Sequence, residues 1–156
     1  MYDWLVSLHL VGFAIFLVAH AIGMWASFRI RGERDRSVIA ALLGLSLRGS
    51  QVMYLGLLLL LVGGFGAGVS AGLLLAPWMV ASYVTLVAVF VLMSAIAGMF
   101  YHPLRAALDG TDTIPRLSDD ELVARLQNRR PELLAAIGAT GIITLVVLMT
   151  VKPALW

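Results

Sequence analysis

Cysteine is absent from the chain, which excludes disulfides, thiolate metal sites and cysteine nucleophiles and leaves the redox compartment undetermined. Acidic residues are missing from the interior of every long apolar run: Asp3 and Glu132 stand at run ends, and the other carboxylates fall in the connections. A carboxylate relay for protons or cations is therefore not available, and a classical ion-coupled transporter is not expected. No glycine-rich phosphate loop follows a strand and no G-x-S-x-G is present, so nucleotide and serine-hydrolase chemistry find no support. Charge is scarce throughout, at 13% of residues.

What fills the chain instead is hydrocarbon. With 61% apolar residues in 156 and a mean hydropathy of +0.96, the composition is that of an integral membrane protein rather than a soluble domain. The apolar runs predict four spans, about residues 4–28, 49–69, 78–101 and 132–151, and these with two polar connections account for a single transmembrane domain over 1–156. The start, MYDWLVSLHL, lacks a basic segment before the apolar run, so the first run reads as a retained span. The fold class is all-α, an integral membrane four-helix bundle. Residues 37–47 are apolar but too short to cross, which suits an interfacial helix or a cytoplasmic extension of span two. The long polar segment from His102 to Glu132 contains a capping box, Ser118 with Glu121, followed by a short helix from Asp119 to Arg130. Its Leu122, Val123 and Leu126 are spaced for a helix on the membrane surface or against the bundle.

Orientation follows from the basic residues. Ten of the eleven, all arginines, lie in the one-to-two and three-to-four connections, and the two-to-three connection has none. The positive-inside rule then gives an N-out, C-out topology with the interfacial helices cytoplasmic, in a cell membrane of the bacterial inner type. Trp4, Trp78 and Trp156 fall in the outer aromatic belt and Trp25 in the inner one. The net charge of +2 is explained by topology and implies no nucleic-acid partner.

His9 and His20 are the best candidates for chemistry. Eleven residues of helix bring the two imidazoles back to one face, about 20° out of register and about 16 Å apart along the axis. LVGFAIFLVA between them carries no other ionisable group. Neutral imidazole at that depth suits an axial ligand of heme iron, a proton relay, or a hydrogen bond to a neighbouring helix. A zinc or copper site needs several ligands at one ion, which imidazoles so far apart cannot supply. His102 could join only His20, so no metal site is expected. Heme needs one or two ligands. Because no other span carries a histidine in its interior, a second ligand would be a methionine, with Met53, Met93 and Met99 as candidates, or a histidine from a second copy in a parallel dimer. Arg48, with Gln51 and Tyr54, is placed to meet a lipid headgroup or a heme propionate.

Small residues form a further pattern: Gly64, Gly68 and Gly72 recur every four residues, with Gly63 and Gly66 between them, and span four carries Gly138 and Gly141. Such faces let helices approach closely, or admit a flat cofactor.

LHLVGFAIF in span one, the glycine-rich end of span two, PWMVASYVTLVAVFVLMSAIAGMFYHPLR in span three and the closing VLMTVKP together resemble a bacterial family of four-span membrane proteins that carries a domain-of-unknown-function label. That resemblance implies a fold and no activity. A more distant likeness links the early histidine of span one to the HemJ-type protoporphyrinogen oxidases and the copper-resistance-D-like membrane proteins. In the HemJ type the matching histidine is implicated in heme binding, which carries over to His9 alone; the family's other basic residues within the spans are not found here. The leading reading is a heme-b-binding redox or electron-transfer protein using His9 and His20. The alternatives are a non-catalytic accessory or scaffold subunit of a larger membrane complex, a homodimer included, and a small transporter or lipid-binding protein.

Overall fold

The computed structural model describes residues 1–110 and 115–153, with the side chains at 102 and 109 outside the description. Trp156, placed in an aromatic belt from the sequence, lies outside the described residues, as does any pairing of the His102 side chain.

The described chain is helical: α1 (Tyr2–Ile30), α2 (Arg36–Ala71), α3 (Pro77–Asp109), α4 (Asp119–Leu126) and α5 (Arg130–Val151). Four of these, α1, α2, α3 and α5, are long and apolar enough to cross a membrane. Backbone groups in hydrocarbon must find partners within the segment, which is why apolar runs of this length become helices.

Of the two readings of residues 37–47, an interfacial helix or an extension of span two, the structure shows the extension: α2 runs unbroken from Arg36, 36 residues in all, and its first turns are apolar so as to bury Ile39, Leu42 and Leu43. The expectation that the polar connection begins at His102 is corrected. α3 continues through Pro103 to Asp109 and buries Leu104 and Leu108 in the same core. Proline removes one backbone hydrogen bond there, and burial of the leucines beyond it holds the helix.

That core sits at the arginine-rich end. Ala26 and Ile30 of α1, the start of α2, Phe100 to Leu108 of α3, and Leu122 and Leu126 of α4 close on one another. The short helix α4 thus packs against the bundle with its apolar side, held at its start by the capping box of Ser118 and Glu121. It ends at Leu126, and α5 already begins at Arg130 with Pro131 in its first turn. Arg36 ties three segments together, donating to the Leu108 carbonyl at 2.7 Å, to the Leu117 carbonyl, and to Asp119 Oδ1 at 2.9 Å. Arg105 donates to the Leu43 carbonyl at 2.9 Å, and Arg31 pairs with Glu132.

Away from that end the bundle is two antiparallel helix pairs. α1 and α2 pack along their length through Gly12, Gly56 and Gly63. A Cβ on Gly56 would stand 2.6 Å from the Phe16 nitrogen, and one on Gly63 would stand 2.7 Å from the Leu5 carbonyl oxygen. This is close backbone packing of the small-residue kind. α3 and α5 form the second pair, with Gly141 receiving Val89. Between the pairs contact is sparse, and a cleft remains.

Candidate functional site: the cleft between the helix pairs

The cleft has two adjoining chambers, one of about 270 Å³ toward the turn between α2 and α3, and one of about 180 Å³ toward the arginine-rich end. All four long helices line the larger chamber. Its walls are leucine, phenylalanine and valine, with His9, His20 and Tyr83 among them. The two histidines therefore do share one face, and that face is turned toward the chain's own helices.

The contacts set the depth of each residue. The Met79 side chain lies against Gly68, and the His9 ring lies against Gly64, one turn nearer the arginine-rich end of α2. Tyr83 is one turn past Met79 in the same direction, so Tyr83 and His9 stand at one level on opposite helix pairs. Deeper, His20 Nε2 and Met93 Cε lie 2.7 and 3.4 Å from the point where a Gly138 Cβ would be. His20, Met93 and Gly138 thus form a second level.

The two histidines differ in what holds them. His9 Nδ1 lies 2.8 Å from the Leu60 carbonyl oxygen. A carbonyl only accepts, so Nδ1 carries the proton and Nε2 keeps its lone pair. Leu60 is four residues before Gly64 on α2, and the missing Cβ at Gly64 gives the ring its route: a methyl there would stand 2.7 Å from Nδ1 and 3.0 Å from Cε1. With that edge against α2, the Nε2 edge is turned away from it. Histidine ligands of metals characteristically donate the other ring N–H to a carbonyl or carboxylate in this way.

His20 is more enclosed. Its ring stacks on Phe16, with centroids 5.8 Å apart and planes 6° from parallel. Its Nε2 is buried with no hydrogen-bond partner among the described residues, and Tyr83 Oη is in the same condition. Each such group costs about 1–3 kcal/mol relative to a satisfied one. Both lie where the helix pairs face each other, so a polar or ligating guest between the pairs would relieve them.

The remaining candidates separate. Met93 and Met53 line the smaller chamber together with His20. Met99 is 64% exposed and lines neither chamber. Arg48 is exposed on α2. Among the described residues no group of His, Cys, Asp or Glu is arranged to hold a metal ion. Tyr83 and the Leu60 carbonyl were not singled out by sequence. The signal for Tyr83 was the helical stripe Met79, Tyr83, Leu86, Val89 and Met93, which lines the cleft and carries one phenol; a backbone acceptor 51 residues away from His9 leaves no mark in a sequence.

The larger chamber thus combines an imidazole whose Nδ1 is held by a backbone carbonyl, apolar walls, and polar atoms without partners among the described residues. Comparison with protein families, with curated proteins and with solved structures yields no match.

Proposed function

We propose that the chain is a membrane-embedded heme-b-binding redox or electron-transfer protein, with His9 as the axial ligand in the larger chamber. The observation that carries the reading is the His9 Nδ1 to Leu60 carbonyl hydrogen bond of 2.8 Å beside Gly64, which fixes the proton on Nδ1 and leaves Nε2 free to ligate. Heme bound there would supply one-electron chemistry, with a potential set by its axial ligand and surroundings. Phe13, Leu61, Phe65 and Leu145 wall the chamber with hydrocarbon, keeping water out and the local dielectric low. Tyr83 stands level with His9 on the opposite helix pair and offers a hydroxyl that has no partner among the described residues.

His20 is a lesser ligand in this reading, since Gly138 and Met93 close over its Nε2. Arg48, exposed on α2, serves a lipid headgroup. The arginine-rich end is cytoplasmic and both termini are outside, in a bacterial inner membrane, because ten arginines and no lysine gather on the two connections at that end. α4, packed there with its charged side outward, lies at the cytoplasmic interface.

The test is purification in detergent, addition of hemin, and a pyridine hemochrome assay. The expected result is a stoichiometric b-type spectrum that His9→Ala abolishes. A protein that stays colourless with added hemin, or a His9→Ala variant that binds it unchanged, overturns the assignment.

A further inference from the structure

We propose that the smaller chamber is a second binding site, open sideways to the bilayer between α2 and α3, and that it takes a lipid-dissolved quinone. α2 and α3 are joined at two places. Near their shared turn Met79 fills the notch at Gly68, and at the arginine-rich end Arg105 reaches the Leu43 carbonyl beside the buried core. Between these joints the two helices barely touch. Tyr54 of α2 and Phe90 of α3 meet there edge to face, with ring centroids 6.3 Å apart. Both line the chamber, yet Tyr54 is 49% and Phe90 42% exposed. Both belong to the apolar stretches long enough to cross the membrane, so the window they frame faces lipid.

Access from lipid selects for a lipid-dissolved guest, and the walls select its head. Phe16 and His20, stacked on each other, line the chamber on the α1 side, and a flat conjugated ring can pack against this aromatic pair. Among the hydroxyls of the chamber, Ser50 donates to the Ser46 carbonyl, Ser27 to the Gly23 carbonyl, and Tyr101 to Ser27 Oγ. Ser46, Tyr54 and Ser94 also line it, and their hydroxyls have no acceptor among the described residues. A quinone has a flat ring and carbonyl oxygens that accept from such donors, and its isoprenoid tail can trail through the window into the bilayer. A phospholipid acyl chain would use neither the rings nor the hydroxyls. The site does not depend on heme at His9: the smaller chamber shares Phe16, His20 and Met93 with the larger one, but His9 does not line it.

The absence of cysteine makes the test clean. Hemin-free protein in nanodiscs is titrated with decylubiquinone, and an azido-quinone maps the contact by photolabelling. The same titration is made on Tyr54→Cys/Phe90→Cys, with its two thiols first free, then bridged by a short bis-methanethiosulfonate, then released by reductant. Saturable binding, label on α2 near Tyr54 or on α3 between Phe90 and Ala97, and a loss of about tenfold or more on bridging that reductant reverses support the site. Non-saturable uptake, label elsewhere, or equal affinity in the bridged and free forms overturns it, as does displacement by oleate as effective as by quinone, which would make the occupant an acyl chain. Because hemin is omitted, failure here leaves the His9 assignment standing, and a colourless protein leaves this site testable.

Discussion

His9 donates its Nδ1 hydrogen to the Leu60 carbonyl across the α1–α2 interface, at 2.8 Å, through a gap that exists because residue 64 has no side chain. The Leu60 carbonyl is also the acceptor that the helix assigns to the Gly64 N–H, so one oxygen serves the ladder and the imidazole. Gly64→Ala would put a methyl 2.7 Å from Nδ1 and push the ring off its acceptor. The expected outcome is a fold retained by circular dichroism and hemin affinity lowered by about 10–100-fold, the usual cost of losing the partner of a histidine ligand. Hemin titration of Gly64→Ala beside Gly66→Ala, whose methyl would meet the flexible Leu5 side chain instead, separates this effect from helix packing.

His20 and Gly138 give a prediction of opposite sign. The ring nitrogen is buried without a partner among the described residues, so His20→Leu removes that polar atom while keeping an apolar group in the space. It is expected to be neutral or to raise stability by about 1 kcal/mol, whereas Gly138→Ala, which forces a methyl against that nitrogen, should cost about 1–3 kcal/mol. Thermal unfolding in detergent reads both. A large loss in His20→Leu would show that the imidazole has a partner in the membrane.

The architecture was readable because hydrocarbon length dictates it: apolar runs of span length, broken by arginine-rich connections, leave few options besides four helices. The shared face of His9 and His20 was equally readable, being a consequence of helical period alone. Boundaries at the arginine-rich end were not. Leu104 and Leu108 past Pro103, and Ile39, Leu42 and Leu43 before Arg48, are apolar for a core made by four segments meeting, and that meeting is tertiary. Nor could the glycines be told apart in sequence. Gly63 and Gly64 are neighbours, yet the first lets a backbone approach and the second makes room for an imidazole.

The seam of Gly12, Gly56 and Gly63 is accordingly where bulk should be most damaging. A side chain at any of the three would meet backbone atoms of the facing helix, and backbone cannot rotate out of the way. Gly56→Val and Gly63→Val are each expected to destabilise the α1–α2 pair by more than the 1–3 kcal/mol typical of an overpacked core, while Gly23→Val, where a Cβ would meet nothing within 4 Å, should be tolerated. Unfolding of the three variants in a graded sodium dodecyl sulfate series measures the order. Equal tolerance at all three would mean that α1 and α2 are not closely packed.

Acid should loosen the arginine-rich end before it touches the spans. Hydrogen bonds from the Ser37 side chain and backbone hold the Asp35 carboxyl below its ordinary value of 3.8, and those from the Ser118 side chain and backbone hold Glu121 below 4.5. A carboxylate depressed on folding contributes stability that is fully present above its unfolded pKa and lost as pH falls through the folded one. Hence the caps of α2 and α4 should be unaffected by lowering pH from 8 toward 5 and should weaken only below about pH 4.5. An environment-sensitive fluorophore on Gln127→Cys, at the exposed end of α4, reports the change against a cysteine-free background. Ser118→Ala removes the hydroxyl partner of Glu121 and leaves the backbone N–H, so α4 should then be looser at neutral pH and show a smaller step in acid. A signal that stays flat to pH 3 in the parent, or an acid step undiminished by Ser118→Ala, would show that the capping box does not hold α4 in place.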